Sequence, residues 1–389
     1  MTFTRHLRRI GRRIRWLPRL RERFPGLYSR AAQIGLDLIL NNAGRRSRRV
    51  HAPQSGRLAL PRSAMLEPTL RCNLDCRMCF QRSSRDSEPG PEWTLAQMRQ
   101  AFDRIELDLV RLIGGEPLVR EDIHEWLAYF DRRGVALSLC SNGTLLDDSA
   151  LRQLESLDHL VLAVISVNGR DEVFRRITGS DRYSTVAEAI ARCAKTLPVG
   201  ISTVCLDDNL DELAALVPAL RGSGALFVYI TFEQIFEEQD LAETRRILQT
   251  HLGWGADCVL DAHVADTTGL APDAIRAGTG SAIERGQRHE LPVFTLPPVW
   301  SRHLESYCRG SAREDLRLGC RYLIDPVLNV DPQGNVLHCE FIRHGFGNLG
   351  EQPLERIWNG DEFVAFRELL LRENLLPICK RCCKAVEVG

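Results

Sequence analysis

From about residue 63 to 236, short runs of β-branched and aliphatic residues alternate six times with stretches whose apolar positions recur at helical spacing. This alternation constrains the fold more than any other feature, because strands separated by amphipathic helices pair in parallel and bury their faces beneath those helices. The predicted strands are Met65 to Leu70, Leu109 to Ile113, Ala136 to Cys140, Leu160 to Val167, Val199 to Cys205 and Phe227 to Phe232. Helical patterns fall between them at Thr94 to Phe102 with Thr94 as N-cap, Glu121 to Asp131, Thr185 to Lys195 and Leu210 to Leu220. Six units are too few to close an eight-stranded ring, so an open, partial barrel is expected, with its chemistry at the C-terminal strand ends.

The flanks divide the rest. Residues 1–62 form a basic N-terminal segment, 63–236 the barrel, 237–305 a linker with a helical pattern near Leu241 to Leu252, and 306–389 a cysteine-rich tail. Lys plus Arg and Asp plus Glu balance at 51 each, but residues 1–50 hold fourteen Arg against only Glu22 and Asp37. A uniformly basic nucleic-acid binder is therefore not expected. Leu7, Ile10, Ile14, Leu17 and Leu20 lie at helical spacing among these arginines, the pattern of a basic amphipathic helix. Two readings of that arm stay open: peripheral contact with anionic lipid through residues 1–50, or packing against the chain's own acidic remainder. No apolar run reaches the roughly 20 residues that span a bilayer, so a cytoplasmic location is expected, with the inner membrane face as the site of any docking.

Thirteen cysteines without a secretory apolar region suit a reducing compartment, where thiols serve metals or chemistry. Cys72, Cys76 and Cys79 form C-x3-C-x2-C directly after the first predicted strand. Three thiolates on one loop can hold three irons of a cubane and leave the fourth open to a chelating small molecule; a zinc site with a remote fourth ligand is the alternative. The second strand ends in Gly114-Gly115-Glu116-Pro117, where glycines admit close backbone approach and Glu116 or neighbouring carbonyls can accept hydrogen bonds from an amino group. The third ends in Ser141-Asn142-Gly143-Thr144 and the fourth in Ser166-Val167-Asn168-Gly169, with Arg176 shortly after. In the tail, Asp331 to Asn335 reads as a turn between Leu323 to Val330 and Val336 to Cys339, followed by a helix around Leu354 to Leu371.

Taken jointly, these motifs resemble the radical S-adenosylmethionine (SAM) superfamily over roughly residues 63–236. Cys72, Cys76 and Cys79 match its cluster motif, Gly114, Gly115, Glu116 and Pro117 its GGEP motif, and Ser141, Asn142 and Ser166 its usual ribose and methionine contacts. Met78 stands where an aromatic residue usually precedes the third cysteine, and Asn168 where Asp is frequent. The tail is similar to the SPASM pattern: thirteen residues separate Cys320 from Gly334, four more precede Cys339, and Cys379-x2-Cys382 follows. Four such cysteines look like the shortened twitch form with one auxiliary cluster; a zinc ribbon is the other reading, Cys383 could replace Cys382, and Cys308 could cap the site or stand free. The expected fold class is thus α/β, a partial (β/α)6 TIM-type barrel with a small C-terminal twitch/SPASM-like β-hairpin plus helix domain.

The resemblance implies a [4Fe-4S] cluster, SAM, one auxiliary [4Fe-4S] cluster, and reductive cleavage of SAM to a 5′-deoxyadenosyl radical that abstracts a substrate hydrogen. It also implies a flavodoxin- or ferredoxin-type electron donor. Cysteine spacing is similar to that of the twitch dehydrogenase of an aminocyclitol, so oxidation or epimerisation of a carbohydrate-type small molecule is the first expectation. Alternatives are a lipid or lipid-linked substrate, a peptide, and a non-catalytic iron-sulfur carrier. For the chemistry after abstraction, Cys140 and Cys205 are candidate hydrogen donors, and Glu233 and Tyr229 candidate bases.

Overall fold

The computed structural model describes residues 51–82, 90–259, 271–296 and 300–389, with backbone alone for 300–303. The predicted basic helix of residues 1–50 lies outside the described residues. In chain order the strands are β1 (Ser63–Leu66), β2 (Leu109–Leu112), β3 (Ala136–Ser141), β4 (Leu160–Ser166), β5 (Val199–Cys205), β6 (Phe227–Phe232), β7 (Val293–Leu296), β8 (Leu318–Cys320), β9 (Val327–Val330), β10 (Val336–Leu337) and β11 (Ala385–Glu387). The helices that matter below are α1 (Leu95–Phe102), α2 (Ile123–Arg132), α3 (Asp148–Glu155), α4 (Asp171–Thr178), α5 (Tyr183–Cys193), α6 (Leu210–Leu220), α7 (Glu238–Leu252), α8 (Pro272–Arg288), α9 (Trp300–Arg309), α10 (Leu354–Trp358) and α11 (Asp361–Arg372). Thr94 does cap α1: its hydroxyl accepts from the Gln97 amide while the Gln97 side chain reaches back to the Thr94 amide.

Strand order in the main sheet is β10-β9-β1-β2-β3-β4-β5-β6-β7, parallel throughout except for the antiparallel β9–β10 hairpin. The six expected strands form its centre. Two additions extend it: β7 rises from the 237–305 stretch beside β6, and β9 of the cysteine-rich tail pairs in parallel with β1. The tail thus prolongs the barrel sheet.

Alternation along each strand separates two faces. Val110, Leu112, Leu137, Leu139, Ile201, Val228 and Ile230 pack outward in one core with Phe130 of α2, Phe174 of α4, Ile190 of α5 and Leu216 of α6. Each such side chain contributes about 1.5–3 kcal/mol by leaving water. Leu109, Ala136, Leu162, Val164 and Phe227 form a separate inner cluster, joined by Cys140, Tyr229 and Phe294. A one-residue slip would exchange these faces, so the outer core fixes which polar side chains line the lumen.

The tail closes over the β1 side. At the β9–β10 turn the Asp331 carboxylate accepts from the Gln333 and Asn335 amides at 3.0 and 2.9 Å. Gly334 has φ +87°, and a Cβ there would lie 1.8 Å from the ring of Trp93, whose amide donates to the Pro332 carbonyl at 2.7 Å. Only glycine admits that ring, which seals the hairpin onto the barrel.

Candidate functional site

The loop carrying Cys72, Cys76 and Cys79 follows β1 at the C-terminal rim, and all three thiols are half-buried. What shapes it is the next strand end. The Gly115 amide donates to the Thr69 carbonyl at 3.0 Å and the Glu116 amide to the Arg71 carbonyl at 2.8 Å. Gly114 has φ +117°, and a Cβ on Gly115 would stand 2.1 Å from the Arg71 oxygen. Both glycines are therefore required by the approach of the β2 turn to the backbone leading into Cys72. Buried Arg120 adds to this brace, donating to the carbonyls of Pro68 at 2.9 Å and Trp93 at 2.6 Å.

Glu116 turns away from solvent and is fully buried. Its carboxylate accepts from the Ser141 hydroxyl at 2.9 Å, the Asn142 amide at 2.6 Å and the Leu118 amide at 3.1 Å. Burial pushes its pKa up to about 7 despite those bonds. The side chain expected to receive an amino group instead clamps the β2 and β3 ends together, so among the motif's acceptors only backbone carbonyls remain for that role. Pro117 is buried at the start of the short 3-10 turn that follows. Asn142 reaches across to the cysteine loop, donating to Asn73 at 2.8 Å, with its amide 3.9 Å from the Cys72 sulfur.

Ser166 ends β4 on the inner face beside Cys140, to which it is hydrogen-bonded. Burial pushes the Cys140 thiol up to about 11. Arg176, near the end of α4, donates to the Asp208 carbonyl at 2.9 Å and pairs with its carboxylate at 3.2 Å. Arg77 of the cysteine loop pairs with the same carboxylate, and its amide binds the Ile177 carbonyl at 2.9 Å. Asn168 accepts from the Val204 amide at 2.8 Å and so joins the ends of β4 and β5. The ends of β1 to β5 thus share one polar rim.

The four candidates for the chemistry after hydrogen abstraction separate. Tyr229 projects into the lumen, hydrogen-bonded to Ser202 and near Cys140, and burial raises its pKa. Cys205 instead belongs to the outer core, where Phe232 and Tyr307 line a small cavity with it. Parity explains this: Val204 and Ser202 continue the inner row, so Cys205 faces the helices. Glu233 borders the same cavity, with its pKa pushed up to about 7 by burial against the opposing influence of Arg77.

The second set of cysteines is brought together. Cys320, Cys339, Cys379 and Cys382 line one cavity with Phe341, Phe366, Ile378, His338, Glu340 and Lys384. Cys383 is not among its lining residues, which favours Cys382 as the fourth thiol, and Cys308 lies on α9 apart from it. Burial pushes Cys320 up to about 12 and Cys379 up to about 11; metal coordination overcomes such a penalty by deprotonating the thiol outright. His338 Nε2 stands 3.6 Å from the Cys320 sulfur, its ring packed edge-on to Phe363 and Phe366. Burial and Arg367 hold His338 neutral, with a pKa near 3. Among the described residues no three His, Cys, Asp or Glu side chains are arranged to hold a single metal ion. Four thiols lining one mostly apolar cavity fit one auxiliary cluster, and three on a braced loop fit a cluster with an open iron.

Sequence reasoning missed Arg111, inside β2, and Tyr322, Glu340 and Lys384, which line the auxiliary-thiol cavity. A signal existed for Arg111, an isolated charge within the apolar strand Leu109–Leu112.

Family comparison agrees with this geometry. The radical SAM superfamily model matches residues 66–218, and a model of the iron-sulfur cluster-binding SPASM domain matches 320–383. The chain is a radical SAM enzyme with a C-terminal SPASM domain, and its cofactors are a [4Fe-4S] cluster with SAM and auxiliary iron-sulfur. It is similar to the AdoMet-dependent heme synthase of Methanosarcina barkeri, 25% identical over 83% of this chain and 88% of that protein. It is also similar to the PqqA peptide cyclase of Xanthomonas axonopodis pv. citri, 26% identical over 79% of this chain and 77% of that protein. Streptococcus suis SuiB bound to S-adenosylmethionine shares the fold, with TM-score 0.60 and 13% identity over 81% of this chain and 69% of that one.

Proposed function

We propose that this enzyme modifies a peptide by abstracting a hydrogen atom and oxidising the resulting radical. The likeness to the PqqA peptide cyclase carries the reading, since it covers 79% of this chain and 77% of that protein. It favours a peptide over the carbohydrate-type substrate that cysteine spacing alone suggested. A tetrapyrrole is the second reading, supported by the likeness to the heme synthase over most of both chains.

Bound at the rim, the first cluster and SAM supply a hydrogen-abstracting carbon radical. The residues around it divide the remaining work. Gly114, Gly115, Glu116 and Arg120 hold the cysteine loop in place. Asn142 and Ser166 present polar groups suited to SAM, and Arg176 with Asp208 steadies the β4 and β5 ends. Removal of hydrogen as an atom, then of one electron that a cluster held by Cys320, Cys339, Cys379 and Cys382 would accept, also releases a proton. Of the two candidate bases, Tyr229 lies on the inner face of the barrel, whereas Glu233 borders the outer cavity with Cys205. A flavodoxin- or ferredoxin-type protein would supply the first electron. Among the described residues no helix is long and apolar enough to cross a membrane, and any membrane contact rests with residues 1–50.

The test uses peptide, tetrapyrrole and carbohydrate fractions from cells of the source organism grown on deuterated medium, each incubated anaerobically with the reconstituted enzyme, SAM and dithionite. Deuterium in 5′-deoxyadenosine is expected from the peptide fraction. Deuterium only from another fraction would overturn the peptide reading.

A further inference from the structure

We propose that Lys384 and Glu340 set the reduction potential of the auxiliary cluster from opposite sides, Lys384 favouring uptake of an electron and Glu340 resisting it. Both line the cavity of Cys320, Cys339, Cys379 and Cys382, and of its described lining residues they alone carry charge. The histidine there, His338, is neutral. The other lining side chains are mostly apolar, so a charge placed among them is weakly screened and acts on whatever the thiols hold.

Lys384 is pinned between two of those thiols. Its amide donates to the Cys382 sulfur at 3.3 Å, and its carbonyl accepts from the amide of Arg321, next to Cys320, at 2.9 Å. Its ammonium lies 5.6 Å from the centre of the Tyr322 ring, a cation–π contact that fixes the side chain beside the cavity. The same tyrosine holds the opposite charge. Its hydroxyl donates to Glu340 at 3.0 Å, and the second Glu340 oxygen is buried without a hydrogen-bond partner among the described residues. Glu340 directly follows Cys339, so cation and anion come from different cysteine segments and are joined through Tyr322.

Reduction adds one negative charge to a cluster held by four thiolates. A nearby cation stabilises that charge and raises the potential, whereas a nearby carboxylate lowers it. In the oxidation proposed above, the substrate radical gives one electron to this cluster and one proton to a base, and the electron then leaves to a flavodoxin- or ferredoxin-type protein. Lys384 favours the first of these transfers. An acceptor reduced too readily would keep its electron, and Glu340 counters that. This role rests on the four-thiol cluster and on substrate oxidation, but the potential itself is read without substrate.

The experiment is an EPR redox titration of the reconstituted full chain carrying Cys72→Ala, Cys76→Ala and Cys79→Ala, so that only iron in the tail is read. Lys384→Met should make reduction at least about tenfold less favourable, which is about 59 mV for one electron, while Lys384→Arg stays near the parent. Glu340→Gln should move the potential the other way, and the variant with both Lys384→Met and Glu340→Gln should fall back toward the parent. If Lys384→Met loses the tail iron, Lys384→Gln takes its place. Unchanged potentials or shifts of the same sign would overturn the proposal. Loss of the iron in every variant would also overturn it, because the two side chains would then hold the cluster rather than tune it. The expected shifts without deuterium transfer from any peptide would keep the tuning and count against the peptide reading.

Discussion

Glu116 makes the sharpest energetic prediction, because its burial and its hydrogen bonds oppose each other. The carboxyl is fully buried, and its pKa rises from 4.5 to about 7, with desolvation as the largest cause and the bonds from Asn142, Leu118 and Ser141 acting the other way. A carboxyl whose folded pKa lies above its unfolded value favours folding fully below the unfolded pKa, and that contribution is lost as pH rises through the folded one. The full loss corresponds to about 3 kcal/mol, of which about 2.5 kcal/mol falls between pH 5 and pH 8. Glu116→Gln removes the titration. It also sets an amide nitrogen against the Asn142 N–H that now donates at 2.6 Å, at a cost of about 1–3 kcal/mol at every pH. Urea unfolding of anaerobically reconstituted wild type and variant, followed by far-UV circular dichroism, should show wild type clearly more stable at pH 5 and the gap closing by about 2.5 kcal/mol at pH 8. Parallel stability curves across that range would refute the reasoning, since they would mean that Glu116 stays ionised in the folded protein throughout.

The cysteine assignments can be checked by iron analysis. Cys382→Ala should leave about four irons per chain, whereas Cys383→Ala should retain about eight; the reverse result would move the fourth ligand to Cys383. Gly115→Ala puts a Cβ 2.1 Å from the Arg71 carbonyl oxygen, so the cysteine loop must shift. Loss of SAM cleavage is expected, with the auxiliary iron retained, and normal 5′-deoxyadenosine production would show that the loop tolerates the displacement. His338 is neutral and 3.6 Å from Cys320, placed to donate an N–H to that sulfur. His338→Phe should therefore make the auxiliary potential more negative in an EPR redox titration, and an unchanged potential would exclude that contact.

Much of the barrel was legible because periodicity reports burial directly. Phe227–Phe232 and Val199–Cys205 were placed to the residue, since β-branched and aromatic side chains covered on both faces leave an apolar run with sharp ends. β7 was not legible: Val293–Leu296 is four residues long, and three of them are only half-buried at the sheet edge, so no strong pattern marks it. The pairing of β9 with β1 was hidden for another reason. Parallel partners more than 250 residues apart carry no local signal of register. The cysteine motifs marked both groups of thiols, yet the role of Glu116 could not be read, because only its burial beneath Ser141 and Asn142 distinguishes a clamp from a ligand contact. Cys205 shows the limit of strand-end reasoning: being near a strand end says nothing about which face a side chain takes, and one residue of parity sends it to the outer core.

The β9–β1 pairing bears on how the two halves act together. Because Val327–Val330 is hydrogen-bonded along Ser63–Leu66, the strand that leads into the first cysteine loop and the hairpin that leads into Cys339 are parts of one sheet. The contact continues beyond the strands: Phe80, next to Cys79, packs at 5.2 Å against Phe341, two residues after Cys339. Glu67 at the end of β1 is paired with Arg343 of the tail. Sheet, aromatic pair and ion pair thus tie the same two loops, and bending one of them away would break all three. Such a frame fixes the separation of the two thiol sets independently of any substrate. Between them lies the inner face of the barrel, where Tyr229 and Cys140 join the inner cluster from strands that the outer core holds still. Substitutions at those inward positions are expected to leave the frame that holds the two cysteine loops undisturbed.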